Sequence, residues 1–239
     1  MLHCRGHCRP ISLPGMNPKQ RAAEAALEKV QSGMILGLGT GSTADYFLQA
    51  LAAALKSGRL TNIRGVPTSR QSERRSLEMG IPLATLVECP NPDLTIDGAD
   101  EIDPKLNLIK GLGGALLREK IVAQNSRRLL IIADASKSVP ALGVKSPLPV
   151  EVAPFGHESH ESFLRNLGAT PTLRKAQDSL YTTDNGNYIY DCRFSRIDNP
   201  EQLQATLKTR AGIVETGLFI GLAHEAIIAG DEGLEHRTR

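Results

Sequence analysis

The sequence predicts an α/β fold: a Rossmann-like main domain on a parallel sheet, with a smaller α+β domain of the split βαβ, ferredoxin-like type. Three observations predict it. Short apolar runs alternate with amphipathic segments through about residue 145, the order of repeated βα units. Several of those runs end in glycine- or aspartate-rich turns, as strands do at the ligand edge of such sheets. After residue 145 the order becomes β-α-β-β-α, which is that of a split βαβ unit. The expected division is a tail over 1–16, a catalytic α/β domain over 17–145 plus 212–239, and a small α+β domain over 146–211.

The elements follow in order. Asn17 as N-cap, Pro18 at the first helical position and Gln20 at the third start a helix. Ala22, Ala23, Ala26, Leu27 and Val30 continue it and Gly33 stops it. Met34–Leu38 reads as a buried strand running into Gly39-Thr40-Gly41-Ser42-Thr43. A helix then carries Ala44, Phe47, Leu48, Leu51 and Leu55 on one face. Ile63–Val66 suits a strand, and Ser69 caps a helix to Met79 that Gly80 ends. Leu83–Val87 and Leu94–Asp97 read as strands, 115–124 as a helix and Leu129–Ala133 as a fifth apolar strand.

Beyond the change of pattern, 147–152 starts a strand, His157–Leu167 is helical, and 170–175 and 180–183 are extended. Asp184-Asn185-Gly186-Asn187 predicts a hairpin turn joining 181–183 to 188–190, and 200–209 a helix. Ile213–Ile220 and Glu225–Ala229 are expected to return as strands to the main domain.

Composition narrows the function. Of 239 residues, 41% are hydrophobic and 23% charged, ordinary for a globular chain. The net charge of +2 comes from 28 basic and 26 acidic residues mixed along the chain, so neither nucleic acid nor a membrane surface is favoured as a partner. Aromatics at 4%, with Trp absent, give little for stacking bases. No run of eighteen apolar residues occurs. Cysteines at 4, 8, 89 and 192 make neither a disulfide framework nor a CxxC pair, which fits a reducing, cytoplasmic setting. The first residues, with His3, Cys4, His7 and Cys8 among prolines and glycines, read as a disordered tail, with Met16 the expected start of translation.

Four constellations carry chemistry. In Gly37–Thr43, glycines let backbone amides approach an anion while a helix N-terminus adds its dipole and Ser42 and Thr43 their hydroxyls. No Gly-Lys pair makes it a Walker loop. Ser42 stands where a dinucleotide fingerprint needs glycine, and no acid lies in 56–65. Asp97-Gly98-Ala99-Asp100-Glu101-Ile102-Asp103 puts four carboxylates at a strand's carboxyl end, where ligands bind in such sheets, and is open to readings as a ligand site, turn or helix caps or a hard-cation site. In Lys110-Gly111-Leu112-Gly113-Gly114, the glycines admit a ligand and Lys110 brings a charge for an oxyanion. Glu119 follows between Arg118 and Lys120, and by helical spacing alone it reads as a solvated surface acid. Asp134-Ala135-Ser136-Lys137 sets a lysine at the same edge of the sheet.

Together, GLGTGST at 37–43, DGADEID at 97–103, KGLGGALLREK at 110–120 and ADASK at 133–137 resemble the ribose-5-phosphate isomerase A family, with PLPVEV at 147–152 and TDNGN at 183–187 in support. The likeness runs from about Lys19 to about Asp231. It implies an aldose–ketose isomerase interconverting ribose 5-phosphate and ribulose 5-phosphate through an enediolate, without cofactor or metal, in the pentose phosphate pathway and as a homodimer or homotetramer. By resemblance, Thr40, Gly41, Ser42 and Thr43 form the substrate loop, with Lys137 and Lys19 at the phosphate end. Asp97 and Asp100, flanking Gly98 and Ala99, hold sugar hydroxyls and assist ring opening. Lys110, Gly111, Leu112 and Gly113 line the reacting carbons, and Glu119 is the proton acceptor. Leu112 departs from a pure glycine run and must turn its side chain away.

Rival readings fare worse. A sugar-phosphate sensor of this architecture would carry a DNA-binding helix-turn-helix, and only about thirty residues and one helix precede the first strand. The DGAD and KGLGG…REK pair argues against an amino-sugar-phosphate deaminase and a CoA-transferase.

Overall fold

The computed structural model describes residues 16–239. The expected tail, including Cys4 and Cys8, lies outside the described residues except for Met16. The chain runs α1 (Pro18–Leu27), β1 (Ile35–Leu38), α2 (Ser42–Lys56), β2 (Arg64–Pro67), α3 (Arg70–Glu78), β3 (Leu94–Asp97), β4 (Glu101–Ile102), β5 (Leu108–Ile109), α4 (Leu116–Asn125) and β6 (Leu129–Asp134). It continues through β7 (Leu148–Val152), α5 (His160–Asn166), β8 (Thr170–Leu173), β9 (Lys175–Ala176), β10 (Ser179–Leu180), β11 (Tyr188–Arg193), α6 (Pro200–Lys208) and β12 (Ile213–Thr216). It ends with β13 (Leu218–Phe219), β14 (Glu225–Gly230) and β15 (Gly233–Thr238).

The main sheet has the order β15-β14-β6-β3-β1-β2, parallel except for β15. Both faces of its inner strands are covered, so β1, β6 and β14 are largely apolar at successive positions. In β6, Leu130 and Ile132 pack with α1 and α2, whereas Leu129, Ile131 and Ala133 join Ala123 of α4 and Phe219 of β13. The connection from β1 goes to β2 on one side, and the chain then crosses to β3 on the other. That topological switch opens a crevice at the carboxyl ends of β1 and β3.

The small sheet has the order β12-β7-β11-β8, every neighbouring pair antiparallel, with α5 and α6 in the two crossovers. This is the split βαβ arrangement. Its core of Leu148, Val150, Val152, Leu164, Cys192 and Leu207 continues through Ile109 and Leu218 toward the main sheet. A third sheet, β13-β5-β4, takes two strands from the segment between β3 and β6 and one from the segment between β12 and β14.

Four expectations are corrected. Leu83–Val87 forms only an isolated bridge, Gly65 to Leu83, because the chain then turns at Thr85, whose amide is capped by the Glu88 carboxylate at 2.8 Å. Ile213–Thr216 does not return to the main sheet but pairs with β7 at the edge of the small one, so the small sheet extends past residue 211. Residues 181–183 are not the hairpin partner of β11, which pairs with β7 and β8. The turn at 184–187 is present, closed by the Asn187 carbonyl accepting from the Thr183 amide at 2.8 Å. Helix α1 ends at Leu27 rather than near Gly33, and Val30 is buried from a turn instead.

Candidate active site

Glycine at two positions lets β1 and β3 close up. A Cβ at Gly37 would lie 1.8 Å from the Thr95 hydroxyl oxygen, and one at Gly39 2.4 Å from Asp97 Oδ1. With Gly39 in place, Asp97 Oδ1 accepts from the Thr40 amide at 3.0 Å and from its neighbour Gly98 at 2.7 Å. The carboxylate is therefore anchored at the crevice of the topological switch, 1% exposed.

Lys110 enters from the end of β5. Its backbone amide donates to the Gly217 carbonyl at 2.9 Å, and its Nζ lies 5.5 Å from the centre of the Phe219 ring. Nζ donates to the Gly98 carbonyl at 2.6 Å and sits 3.0 Å from Asp97 Oδ2 and 3.4 Å from Glu119 Oε2. Lys110 is 3% and Glu119 5% exposed, so Glu119 is no solvated surface acid. Burial would lower the Lys110 ammonium, but Asp97, Glu119 and Asp100 outweigh it and hold it above its usual value. For Glu119 burial dominates: it pushes the carboxyl up, Lys110 pulls it back, Asp97 and Asp100 push it up again, and it settles at about 8. Glu119 Oε2 accepts no hydrogen bond from the described residues.

The four carboxylates of 97–103 divide by role. Half-buried Asp100 accepts from the Leu112 amide at 3.0 Å, tying the glycine-rich loop to the crevice. Glu101 is fully buried and takes the amides of Gly143 at 2.6 Å, Lys145 at 2.7 Å and Ser146 at 2.5 Å. Asp103 takes those of Lys105 and Asn107 at 2.7 and 2.8 Å. Glu101 and Asp103 thus hold loops. Among the described residues no three His, Cys, Asp or Glu side chains gather as a metal set.

A second group lies over the ends of β1 and β6. Gly41, at φ +105°, turns the chain into α2, and exposed Ser42 accepts from Lys19 Nζ at 2.8 Å. Thr40 and Thr43 are buried, and the Thr40 hydroxyl lies 2.7 Å from that of Ser69 and 2.8 Å from that of Thr68. Burial would raise the Asp134 carboxyl, but bonds from Ser136 and the nearby charges of Lys137 and Lys19 hold it below the ordinary value. Lys19 lines a cavity of about 390 Å³ with Asp134, Ser136, Gly230 and Asp231, and Lys137 follows Ser136 in the chain at the same edge of the sheet. The cavity of about 460 Å³ beneath the β14–β15 turn is larger but holds none of Asp97, Lys110 or Glu119. Chemistry rather than volume locates the centre.

Exposed Leu112 engages through its backbone. Three features escaped the sequence reading: Phe219 beside Lys110, the buried Lys120–Glu215 pair at 2.8 Å next to Glu119, and Arg174, which reaches the glycine-rich loop. All three join residues dozens of positions apart or more. Only the apolar company of Phe219 signalled burial.

A buried carboxylate with a raised pKa, an ammonium shared with a second carboxylate and a helix N-terminus with a lysine beside it, all at the carboxyl edge of a parallel sheet, fit an enzyme that moves protons on a small anionic substrate. The family described as ribose 5-phosphate isomerase A (phosphoriboisomerase A) matches residues 64–233. The ribose-5-phosphate isomerase A of Roseiflexus sp. (strain RS-1) is 52% identical over 217 residues, covering 90% of this chain and 93% of its own. The solved ribose 5-phosphate isomerase of Plasmodium falciparum superposes with a TM-score of 0.90 at 40% identity, covering 93% of this chain and 98% of its own. That of Methanocaldococcus jannaschii gives 0.88 at 35% identity, with 93% and 98% covered. The chain belongs to the ribose 5-phosphate isomerase A family, and that family's reaction, interconversion of ribose 5-phosphate and ribulose 5-phosphate in the pentose phosphate pathway, is its reaction.

Proposed function

We propose that Glu119 carries the proton between C2 and C1 of the open-chain pentose phosphate, through an enediolate whose charge Lys110 stabilises. The observation that supports this reading best is the buried Asp97–Lys110–Glu119 cluster, in which Glu119 Oε2 has no donor of its own. Ribose 5-phosphate is mostly a closed ring, so a proton must leave the anomeric hydroxyl and one must reach the ring oxygen. Asp97, with Asp100 beside it, serves that step. Glu119 then takes the C2 proton and the C–H electron pair forms the C1–C2 double bond. The negative charge left on oxygen meets the Lys110 ammonium. A proton passes from the C2 hydroxyl to O1, and return of the carbon-derived proton from Glu119 to C1 on the same face, with the carbonyl now at C2, gives the ketose and regenerates the base. A base whose pKa lies near the working pH balances availability against strength, and such a group contributes about 10²–10⁴-fold.

Ser42, Thr43 and Gly41 at the α2 N-terminus, with Lys19 and Lys137, hold the phosphate, a helix-terminus site reinforced by two cations. Gly98, Ala99, Gly111, Leu112 and Gly113 line the carbons through their backbone. Every step is a proton transfer, which neither nicotinamide nor metal is needed to perform. The working unit is a homodimer or homotetramer in the cytoplasm. Among the described residues, no helix is long and apolar enough to cross a membrane.

Turnover in deuterated water with EDTA present tests the route. Solvent deuterium at C1 of the ketose is expected, because a proton held on Glu119 exchanges during some turnovers. A product without deuterium would indicate a hydride shift instead, and activity abolished by EDTA would sink the metal-free mechanism.

A further inference from the structure

We propose that Arg174, a residue of the small domain remote from the sheet edge, is a positioning residue for the active-site loop Gly111–Gly114. The inference rests on the reading above that this loop lines the reacting carbons.

Arg174 follows β8 and is fixed at both ends of its peptide. Its amide donates to the Ile189 carbonyl at 2.8 Å and its carbonyl accepts from the Tyr181 amide at 3.0 Å. The guanidinium is shared in two directions. Nε and Nη2 grip both oxygens of Asp191, at 2.8 and 2.5 Å, while Nη1 donates to the carbonyls of Gly111 and Leu112, each at 3.1 Å. The side chain is 12% exposed and lies 5.5 Å from the centre of the Tyr181 ring. Tyr181 closes the loop's other side. Its hydroxyl lies 3.5 Å from the Gly113 carbonyl oxygen, and a Cβ on Gly114 would come within 2.0 Å of that hydroxyl.

The loop is a turn in which the Gly114 amide donates to the Gly111 carbonyl at 2.9 Å, with Gly111 at φ +104°. The Gly111 carbonyl, which also takes the Gly114 amide, and the Leu112 carbonyl both point to Arg174, and the Leu112 and Gly113 amides point away from it. A carbonyl that accepts from a cation polarises the N–H of the same peptide. The peptide of the Gly111 carbonyl carries the Leu112 amide, which donates to Asp100 at 3.0 Å. The peptide of the Leu112 carbonyl carries the Gly113 amide, which has no acceptor among the described residues. Arg174 thus orients one amide onto a carboxylate of the crevice and presents the next, polarised, to substrate oxygen. Only a planar fork does this while holding Asp191, so lysine is a poor substitute.

The test compares Arg174→Met, Arg174→Lys and Gly113→Ala with the parent, reading kcat and KM for ribose 5-phosphate, the inhibition constant of inorganic phosphate, and the folded fraction by thermal melting. Gly113 has open space at its Cβ position, so alanine there obstructs the loop's surface without disturbing the fold. Arg174→Met is expected to lose about ten- to a hundredfold in kcat/KM, the scale of a small misplacement of reacting groups. The phosphate inhibition constant and folded fraction should hold, and Arg174→Lys should recover only part of the loss. A parent-like Arg174→Met beside an impaired Gly113→Ala overturns the inference while leaving the loop's assignment standing. Loss in proportion to unfolding, or with equally weakened phosphate binding, overturns it as a merely structural effect. If Gly113→Ala is itself parent-like, the loop's assignment fails and the inference falls with it.

Discussion

Replacing Glu119 by glutamine removes one charge and almost no volume from the centre of the site, and two independent consequences follow. Lys110 keeps Asp97 at 3.0 Å and the Gly98 carbonyl at 2.6 Å, so the fold loses none of its anchors there. The group proposed as the base, however, is gone. A loss of about 10²–10⁴-fold in kcat is expected, or roughly 3–5.5 kcal/mol of barrier. Ketose formation from ribose 5-phosphate deuterated at C2 reads it, because removal of the C2 proton should carry a primary isotope effect in the parent. A variant within tenfold of the parent would place the base elsewhere.

The second consequence is a gain in stability, and its sign depends on pH. The folded-state pKa of Glu119 is raised from 4.5 to about 8, so the folded chain binds this proton more tightly than the unfolded one. Stability therefore falls as pH rises between those values, since the carboxylate must be charged inside the protein. Above about pH 8 the penalty is of the order of a few kcal/mol, at 1.36 kcal/mol per pKa unit. Glu119→Gln has no such penalty. Its melting temperature should match the parent's near pH 5 and exceed it near pH 8.5, by about 2–4 °C per kcal/mol for a chain of this size. The same ionisation sets the acid limb of kcat/KM, which should rise with pH toward about 8 in the parent. A melting difference independent of pH, or one that grows toward acid, would refute the raised pKa and with it the reason this carboxylate serves as base.

Other substitutions separate scaffold from chemistry. Gly39→Ala puts a Cβ 2.4 Å from Asp97 Oδ1, so melting should report a loss of roughly 1–3 kcal/mol from overpacking, with kcat falling as Asp97 shifts. Glu101→Gln weakens a carboxylate that holds three amides, and denaturant titration should show a loss of roughly 1.5–3 kcal/mol while kcat per folded molecule stays unchanged. Lys137→Met should raise KM for ribose 5-phosphate about ten- to a hundredfold, from the 1.5–3 kcal/mol of one charge-assisted bond, with kcat nearly intact.

Much of the main sheet was legible because its strands are covered on both faces. A run such as Leu129–Ala133 has one reading whichever neighbours it finds. Ile213–Thr216 did not announce its sheet, since an alternating strand looks alike at the edge of either domain. The strand Gly233–Thr238 escaped notice because it is a partly exposed edge with a polar sequence, Gly-Leu-Glu-His-Arg-Thr. At the site, motif order led to Asp97, Lys110 and Glu119, which the fold brings into contact. Spacing could not say which of the four acids in 97–103 would meet an ammonium and which would meet backbone amides. That depends on where the chain goes next, through Gly143–Ser146 for Glu101 and Leu112 for Asp100.

What spacing also could not show is why one of two buried carboxylates has the raised proton affinity that suits it to the proposed role of base. A single ammonium cannot fully compensate two carboxylates in a low-dielectric site, so the cluster holds one negative charge in excess. Asp97 is nearer Lys110 and accepts from the Thr40 and Gly98 amides as well. Glu119 is 3.4 Å from the same ammonium, and its Oε2 has no hydrogen-bond donor. The excess falls on Glu119, whose affinity for a proton rises accordingly. Two like groups in contact with one cation are thus pushed to different tasks by their other neighbours alone. The glycines at 37 and 39, which let β3 approach β1 closely enough for the Thr40 amide to reach Asp97, are therefore part of what makes Glu119 basic.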